Sequence, residues 1–292
     1  MAQIINSTNL GEVWSPCAEE VEAFSQNGWL ISPIFLPSEL LDLAWTAIER
    51  FVEEPPSAEI APAINLTDLR HREGAAFDHL GYLSLQVEAV RKLVAFPLLA
   101  AAAARLAGAQ GIRLFHDRLI VKPPESEEAS TVGWHTDRAY WLTCTSTQML
   151  TAWIPFQDIE PEMGPLMVVG GSHRWPETEH MATSHRSDMD QLLVEAGAAP
   201  WDGRPEPMVL RRGQVSFHHC MALHGSLPNR GNRPRAALAV HLQPSENRYR
   251  LVNRPDGRRL GHTNDLLCRT TAEGLPDYAD PAVFPLLWAS DE

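Results

Sequence analysis

Along residues 37–56, PSELLDLAWTAIERFVEEPP, apolar side chains recur at Leu41, Trp45, Ile48 and Val52, with Leu40, Ala44 and Phe51 widening the stripe. That spacing describes one face of an α-helix. Ser38 is placed to cap its start, and Pro55–Pro56 to stop it. FPLLAAAAARLAG at 96–108 predicts a second helix, with Pro97 at the first helical position and Gly108 as the terminal stop. Residues 17–30 predict one more short helix running into the extended apolar stretch GWLISPIFL. PAINLTDLRHREGAAFDHLG, residues 62–81, has no period and reads as irregular loop.

From about residue 110 the pattern changes. IRLFHDRLIVKPP, QMLTAWIPFQD, GPLMVVGGSHRW, GQVSFHHCMALHGS and RPRAALAVHLQP are short β-prone segments bounded by Gly, Pro, Asn and Ser. The lengths between them are too short for repeated parallel crossovers, so an antiparallel sandwich or barrel is expected. One polar stretch, residues 176–205, interrupts the strands and is long enough to form a lid, a partly helical excursion or a disordered segment. After residue 244 the chain is loop-rich until the apolar FPLLW. We read residues 1–292 as one domain: helical support over 1–108, a β core over 109–244, and a C-terminal segment over 245–292.

Composition narrows the function classes. Apolar residues make up 44% and charged residues 21% of 292, ordinary for a globular protein. A formal net charge of −13 disfavours nucleic acid and anionic membrane surfaces as partners. Cys17, Cys144, Cys220 and Cys268 form no CxxC pair, which fits reduced thiols in a cytoplasmic protein. MAQIINSTNLGEVWSP has no basic stretch followed by an apolar run, so neither a leader nor a membrane span is expected. A small-molecule substrate is the expected partner; whether the chain is a monomer or a dimer stays open.

The candidate chemistry begins at GWHTDRAYW, residues 133–141. Alternate residues of an extended segment point the same way, so His135 and Asp137 form two legs of a metal site. Two histidines and one carboxylate on one face leave about three of iron's positions open for other ligands. His218, His219, His224 and His241 compete for the third leg. His224 is favoured because Gly225 and Ser226 follow it and Arg235 stands eleven residues on. A planar, permanently charged guanidinium one strand from a ligand histidine suits the distal carboxylate of 2-oxoglutarate. Arg235 is preferred to Arg233 because it shares a strand face with Ala237, Ala239 and His241, whereas Arg233 precedes a proline in a turn. The remaining histidines are expected to support the ligands or the fold.

WHTD, TAWIPFQDIEPEMGPLMVVGGSH and LHGSLPNRGNRPRAALAVHL occur in that order, and together the chain resembles the phytanoyl-CoA dioxygenase-like branch of the Fe(II)/2-oxoglutarate oxygenases, from about Arg113 to Gln243. The resemblance implies a mainly β fold, a double-stranded β-helix (jelly-roll, cupin-like) core with N-terminal helices packed on it. It implies iron held by His135, Asp137 and His224, with 2-oxoglutarate on Arg235 and Ser226 and against Trp153. Arg118 falls where the family's preceding strand sends a polar side chain into the pocket, and joins the co-substrate set. Gly170 stands where the family turn usually has proline. The implied reaction consumes O2 and 2-oxoglutarate, releases succinate and CO2, and hydroxylates a small molecule such as a natural-product intermediate. Desaturation, epoxidation or rearrangement are its variants, and a non-catalytic jelly-roll binding protein is the reading from another class. An aspartate at 137 argues against halogenation, which in relatives needs a small residue there. Arg138, Tyr140 and Trp141, next to the metal motif, are the candidate substrate contacts.

Overall fold

The computed structural model describes residues 14–53, 78–127, 130–176, 178–197 and 204–290. The leader reading, Pro55–Pro56 and most of the 62–81 loop lie outside them. Helix α1 (Ala18–Asn27) starts where the Glu20 carboxylate accepts the Cys17 N–H at 2.8 Å and ends at Gly28, whose φ of 76° favours glycine. It runs into strand β1 (Trp29–Ile31). Helix α2 (Ser38–Glu53) buries Leu41, Ala44, Ile48 and Phe51. Of the four leading positions of the expected stripe, Leu41 and Ile48 are in the core, Trp45 is half-buried and Val52 is exposed, so the buried face is rotated toward the flanking Ala44 and Phe51. Strand β2 (Asp78–Gly81) leads to the short helices α3 (Leu83–Gln86) and α4 (Glu88–Val94). Helix α5 (Pro97–Ala107) begins on Pro97 and stops at Gly108, φ 63°. It is apolar on nearly every side because it is wedged against the large sheet.

The strands that follow are β3 (Gly111–Lys122), β4 (Val132–His135), β5 (Leu150–Pro155) and β6 (Met167–Val169). After helix α6 (Met189–Glu195) come β7 (Pro205–Pro207), β8 (Ser216–His219), β9 (His224–Ser226) and β10 (Arg235–Pro244), then helix α7 (Asn264–Leu267) and β11 (Leu286–Ala289). The large sheet has the order β1-β8-β5-β10-β3-β11, with β2 also on β3; the small sheet is β4-β9-β6-β7. Every pairing is antiparallel.

Strand β10 divides the two environments. Ala236, Leu238, Val240 and Leu242 enter the main core with the helices, whereas Ala237 and Ala239 join Trp153 on the opposite, inward face. That inward face looks onto the small sheet, giving the jelly-roll core. The stretch at 176–205 is ordered over its described residues and lies along β4. The Gly133 N–H donates to the Ser184 carbonyl at 3.0 Å, and the Thr136 N–H to the Met181 carbonyl at 3.2 Å. Over 245–290, α7 and β11 interrupt the expected loop, and β11 pairs with β3.

Candidate metal centre

His135 closes β4, Asp137 opens the 3-10 turn after it, and His224 opens β9, which pairs with β4 so that His135 and His224 face one another in register. One ligand atom from each of the three lies within 4.8 Å of the others. The two imidazole centroids are 4.1 Å apart. The Nδ1 of His135 meets the Gly133 carbonyl at 2.8 Å, and that of His224 meets the Ala222 carbonyl at 2.9 Å. A carbonyl can only accept, so both Nδ1 atoms carry the proton and both Nε2 lone pairs are free for a metal. Burial keeps the two imidazoles neutral, with the pKa of His224 well below the ordinary histidine value. For Asp137, burial alone would raise the carboxyl; the electrostatic influence of the imidazoles around it, His224 and His241 foremost, with a hydrogen bond from His218, holds it well below the usual range. Two neutral imidazoles and an ionised carboxylate form the donor set that a hard-to-borderline divalent ion requires.

Behind the triad, side chains fall into rows across the large sheet. His218, Thr151, His241 and His116 are in register on β8, β5, β10 and β3. The Thr151 hydroxyl donates to Asp137 Oδ2 at 2.5 Å and accepts from His241 Nδ1 at 2.8 Å. His218 Nε2 stands 3.5 Å from the same oxygen. The neighbouring row is Ser216, Trp153, Ala239 and Arg118. Farther along, Arg235 pairs with Lys122.

Arg235 is 2% exposed, and its guanidinium leans along the strand to lie 5.6 Å from the Trp153 ring centroid. Its Nε has no hydrogen-bond partner, and burial lowers its pKa to about 10, still charged at neutral pH. A buried guanidinium left in that state is costly unless an anion joins it. The Lys122 ammonium beside it donates to Ser226 Oγ at 2.7 Å and to the Leu227 carbonyl at 2.6 Å. Burial, then the charge of Arg235, push Lys122 down to about 6. Because Ser226 Oγ accepts from Lys122, its own proton is free to point into the cavity.

A cavity of about 530 Å³ joins these groups, lined by His135, Asp137, His224, Ser226, Arg235, Trp153, Arg118, Tyr140 and Trp141 among others. Of the residues named from the sequence, the structure therefore brings nine together and leaves one out. Arg138 is 1% exposed and faces away: its guanidinium donates to the carbonyls of Trp141 and Cys144, both at 3.0 Å, and pairs with Glu179 at 3.1 Å. It braces the turn instead of meeting a substrate. Tyr140 lines the mouth and holds Ser184 of the inserted segment at 2.6 Å. Trp141 is buried edge-on against Phe115 and His241. Arg233, the rejected rival, pairs with Glu160 on the surface. Thr151, His116, Arg254 and His262, which line the cavity, and Lys122, which holds Ser226 from behind it, were missed; none has a local motif, and only strand register and a distant loop bring them there.

Two histidines and one carboxylate on one face of a jelly roll thus share a cavity with a buried arginine. The family model described as "Phytanoyl-CoA dioxygenase (PhyH)" matches residues 24–237, and the chain belongs to that family, whose enzymes depend on Fe(II) and 2-oxoglutarate. The chain is 27% identical to the peroxisomal phytanoyl-CoA dioxygenase of Rattus norvegicus over 139 residues, 47% of this chain and 41% of that one. It thus spans about two fifths of the length of such relatives. To the ectoine dioxygenase of Bordetella parapertussis it is 24% identical over 262 residues, 82% of this chain and 80% of that one. Among solved structures, the α-ketoglutarate-dependent carbocyclase SnoK of nogalamycin biosynthesis superposes with a TM-score of 0.71 at 24% identity, covering 94% of this chain and 99% of its own. The epimerase SnoN in complex with Fe3+, α-ketoglutarate and nogalamycin RO gives 0.68 at 23%, covering 92% and 98%. These two likenesses speak for the fold.

Proposed function

We propose that the protein is an Fe(II)- and 2-oxoglutarate-dependent dioxygenase that hydroxylates a small organic molecule, releasing succinate and CO2. The observation that carries the reading is that the triad, with both histidine tautomers fixed, shares one cavity with a buried guanidinium whose Nε has no hydrogen-bond partner. His135, Asp137 and His224 would hold the iron, which when bound supplies the oxidising power that protein side chains lack. Arg235 clamps the distal carboxylate of 2-oxoglutarate, the Ser226 hydroxyl donates to it, and Trp153 walls the chain between the two ends. Residues that would hold the co-substrate at the Arg235 end would fix its orientation relative to the triad, so that positioning and not chemistry is the protein's share. Thr151 and His218 hold Asp137 in its ligating position. Tyr140, Trp141 and the segment around Ser184 shield the cavity from bulk water. SnoK and SnoN are named a carbocyclase and an epimerase, so on this scaffold the outcome follows from how the substrate lies over the metal.

Anaerobic addition of Fe(II) and 2-oxoglutarate should raise a weak visible charge-transfer band. His224→Ala should lose the band and iron-dependent succinate formation together. Arg235→Ala should keep metal affinity and lose 2-oxoglutarate affinity by about 100-fold, the scale of a buried charge-assisted contact. A featureless spectrum at saturation would remove the reading and leave a jelly-roll binding protein. Product mass separates hydroxylation (one oxygen gained) from desaturation (two hydrogens lost) and from rearrangement.

A further inference from the structure

Among the described residues the cavity is lined by three arginines, Arg118, Arg235 and Arg254, against a single carboxylate, Asp137. If the reading above holds, the bound iron's two positive charges and the 2-oxoglutarate dianion cancel. Three guanidinium charges less one carboxylate then leave a balance of about +2, carried by the two arginines that the co-substrate does not use. On a chain whose formal net charge is −13, that local excess runs against the average.

Arg118, which the resemblance assigned to the co-substrate, comes from the other side of the Ala239 row: Trp153 and Arg118 flank Ala239 in register, and the Arg235 guanidinium lies on the Trp153 side, 5.6 Å from that ring. Ala239 is small, so the space between Trp153 and Arg118 is open on that row. Arg254 comes from the C-terminal loops and meets the same cavity. Both arginines are solvent-exposed at the cavity's edge; among the described residues neither guanidinium has a hydrogen bond or an ion pair, and no carboxylate but Asp137 lines the cavity, so each can turn to an incoming anion. The groups around them are donors as well. His262 Nδ1 accepts the Asn264 N–H at 3.2 Å, which makes its Nε2 the proton-bearing atom. His116, 7% exposed, lines the cavity with a buried Nε2 that has no partner.

We propose that the substrate is an organic anion whose carboxylate is received by Arg118, with Arg254 closing the corner and His262 completing its hydrogen bonds. A guanidinium fork matches a carboxylate in two parallel hydrogen bonds, which fixes orientation as well as position. The carboxylate then lies to one side of the metal, and the carbon chain crosses the Ala239 row toward it. The inference rests on the oxygenase reading for its charge balance, although the recognition it assigns is separable from turnover.

The test uses the full chain loaded with Zn(II) in place of iron and with 2-oxoglutarate. A panel of small aliphatic, alicyclic and aromatic carboxylic acids, each with its methyl ester, is followed by saturation-transfer NMR. Acids should bind and their esters should not. Arg118→Gln and Arg254→Gln should each weaken the acids that bind, Arg118→Gln by about 10- to 100-fold, as expected for a lost charge-assisted pair. Arg118→Gln should leave 2-oxoglutarate affinity within about twofold, whereas Arg235→Gln should abolish it. Esters binding as well as acids, no acid binding, or acids indifferent to Arg118→Gln would each overturn the proposal. So would a loss of 2-oxoglutarate affinity in Arg118→Gln, which would return that residue to the co-substrate. The comparison is repeated on the metal-free chain. Failure to bind 2-oxoglutarate, with the acid preference intact, would count against the oxygenase reading alone.

Discussion

Thr151 shows how much of this centre depends on a side chain that carries no chemistry of its own. Its hydroxyl has one proton, given to Asp137, and a lone pair, filled by His241. Valine has the same shape and neither function. Thr151→Val should leave Asp137 Oδ2 with His218 alone and free to rotate, and should weaken metal binding by about 10- to 100-fold. Cobalt(II) titration of the metal-free protein measures this without any turnover; an unchanged affinity would show that packing alone orients the carboxylate. His135, Asp137, His224 and Arg235 were legible in the sequence because each residue type carries its chemistry, and because extended-strand alternation places the first two together. Thr151 and Lys122 were not. A threonine in a strand and a lysine before two prolines become partners of Asp137 and Ser226 only once β5, β10 and β3 pair in one register. Arg138 is the converse case, a charge beside the motif that the turn consumes internally.

At the scale of elements, the helix and strand boundaries were legible wherever a backbone constraint marks them, as at Gly28, Pro97 and Gly108. The stretch at 176–205 was not, because its polar composition hides a docking that runs mostly through backbone groups. Thr183 donates its hydroxyl to the Trp134 carbonyl at 2.5 Å, and Leu192 packs into a cluster with Trp134 and Trp175. The fit needs Gly133: a Cβ there would sit 2.6 Å from the Thr183 carbonyl oxygen and 3.0 Å from Leu192 Cδ1. The carbonyl belongs to backbone and yields poorly. Gly133→Ala should therefore push the segment off β4, costing about 1–3 kcal/mol as overpacking does. Faster tryptic cleavage after Arg186 and a lower denaturation midpoint are the expected readouts. Wild-type cleavage rates would mean that the segment is held elsewhere, and that Tyr140–Ser184 is the contact that matters.

The whole molecule also answers to pH through histidines remote from the metal. His219 and His173 stack at 5.4 Å beneath α1, where His219 Nδ1 accepts the Met221 N–H at 3.1 Å. Burial lowers both, His219 to about 3. In the unfolded chain each returns to about 6.5. Above pH 6.5 both states are unprotonated there and stability is unaffected. Below it the unfolded chain takes up a proton that native His219 refuses, so stability falls with acidity. The loss approaches about 1.4 kcal/mol per pH unit for His219 and continues toward the folded value near 3. Between pH 6.5 and 5 that amounts to about 2 kcal/mol from this one side chain. Urea unfolding of the metal-free protein at pH 7, 6 and 5 should show the decline, and His219→Gln should shallow it by one proton over the same range. His219 and His173 face α1 and not the cavity, so the slope should survive saturation with Zn(II). If His219→Gln left the slope unchanged, the titrating groups would be the other buried histidines, the triad among them, and the acid sensitivity would belong to the metal centre and not to the scaffold.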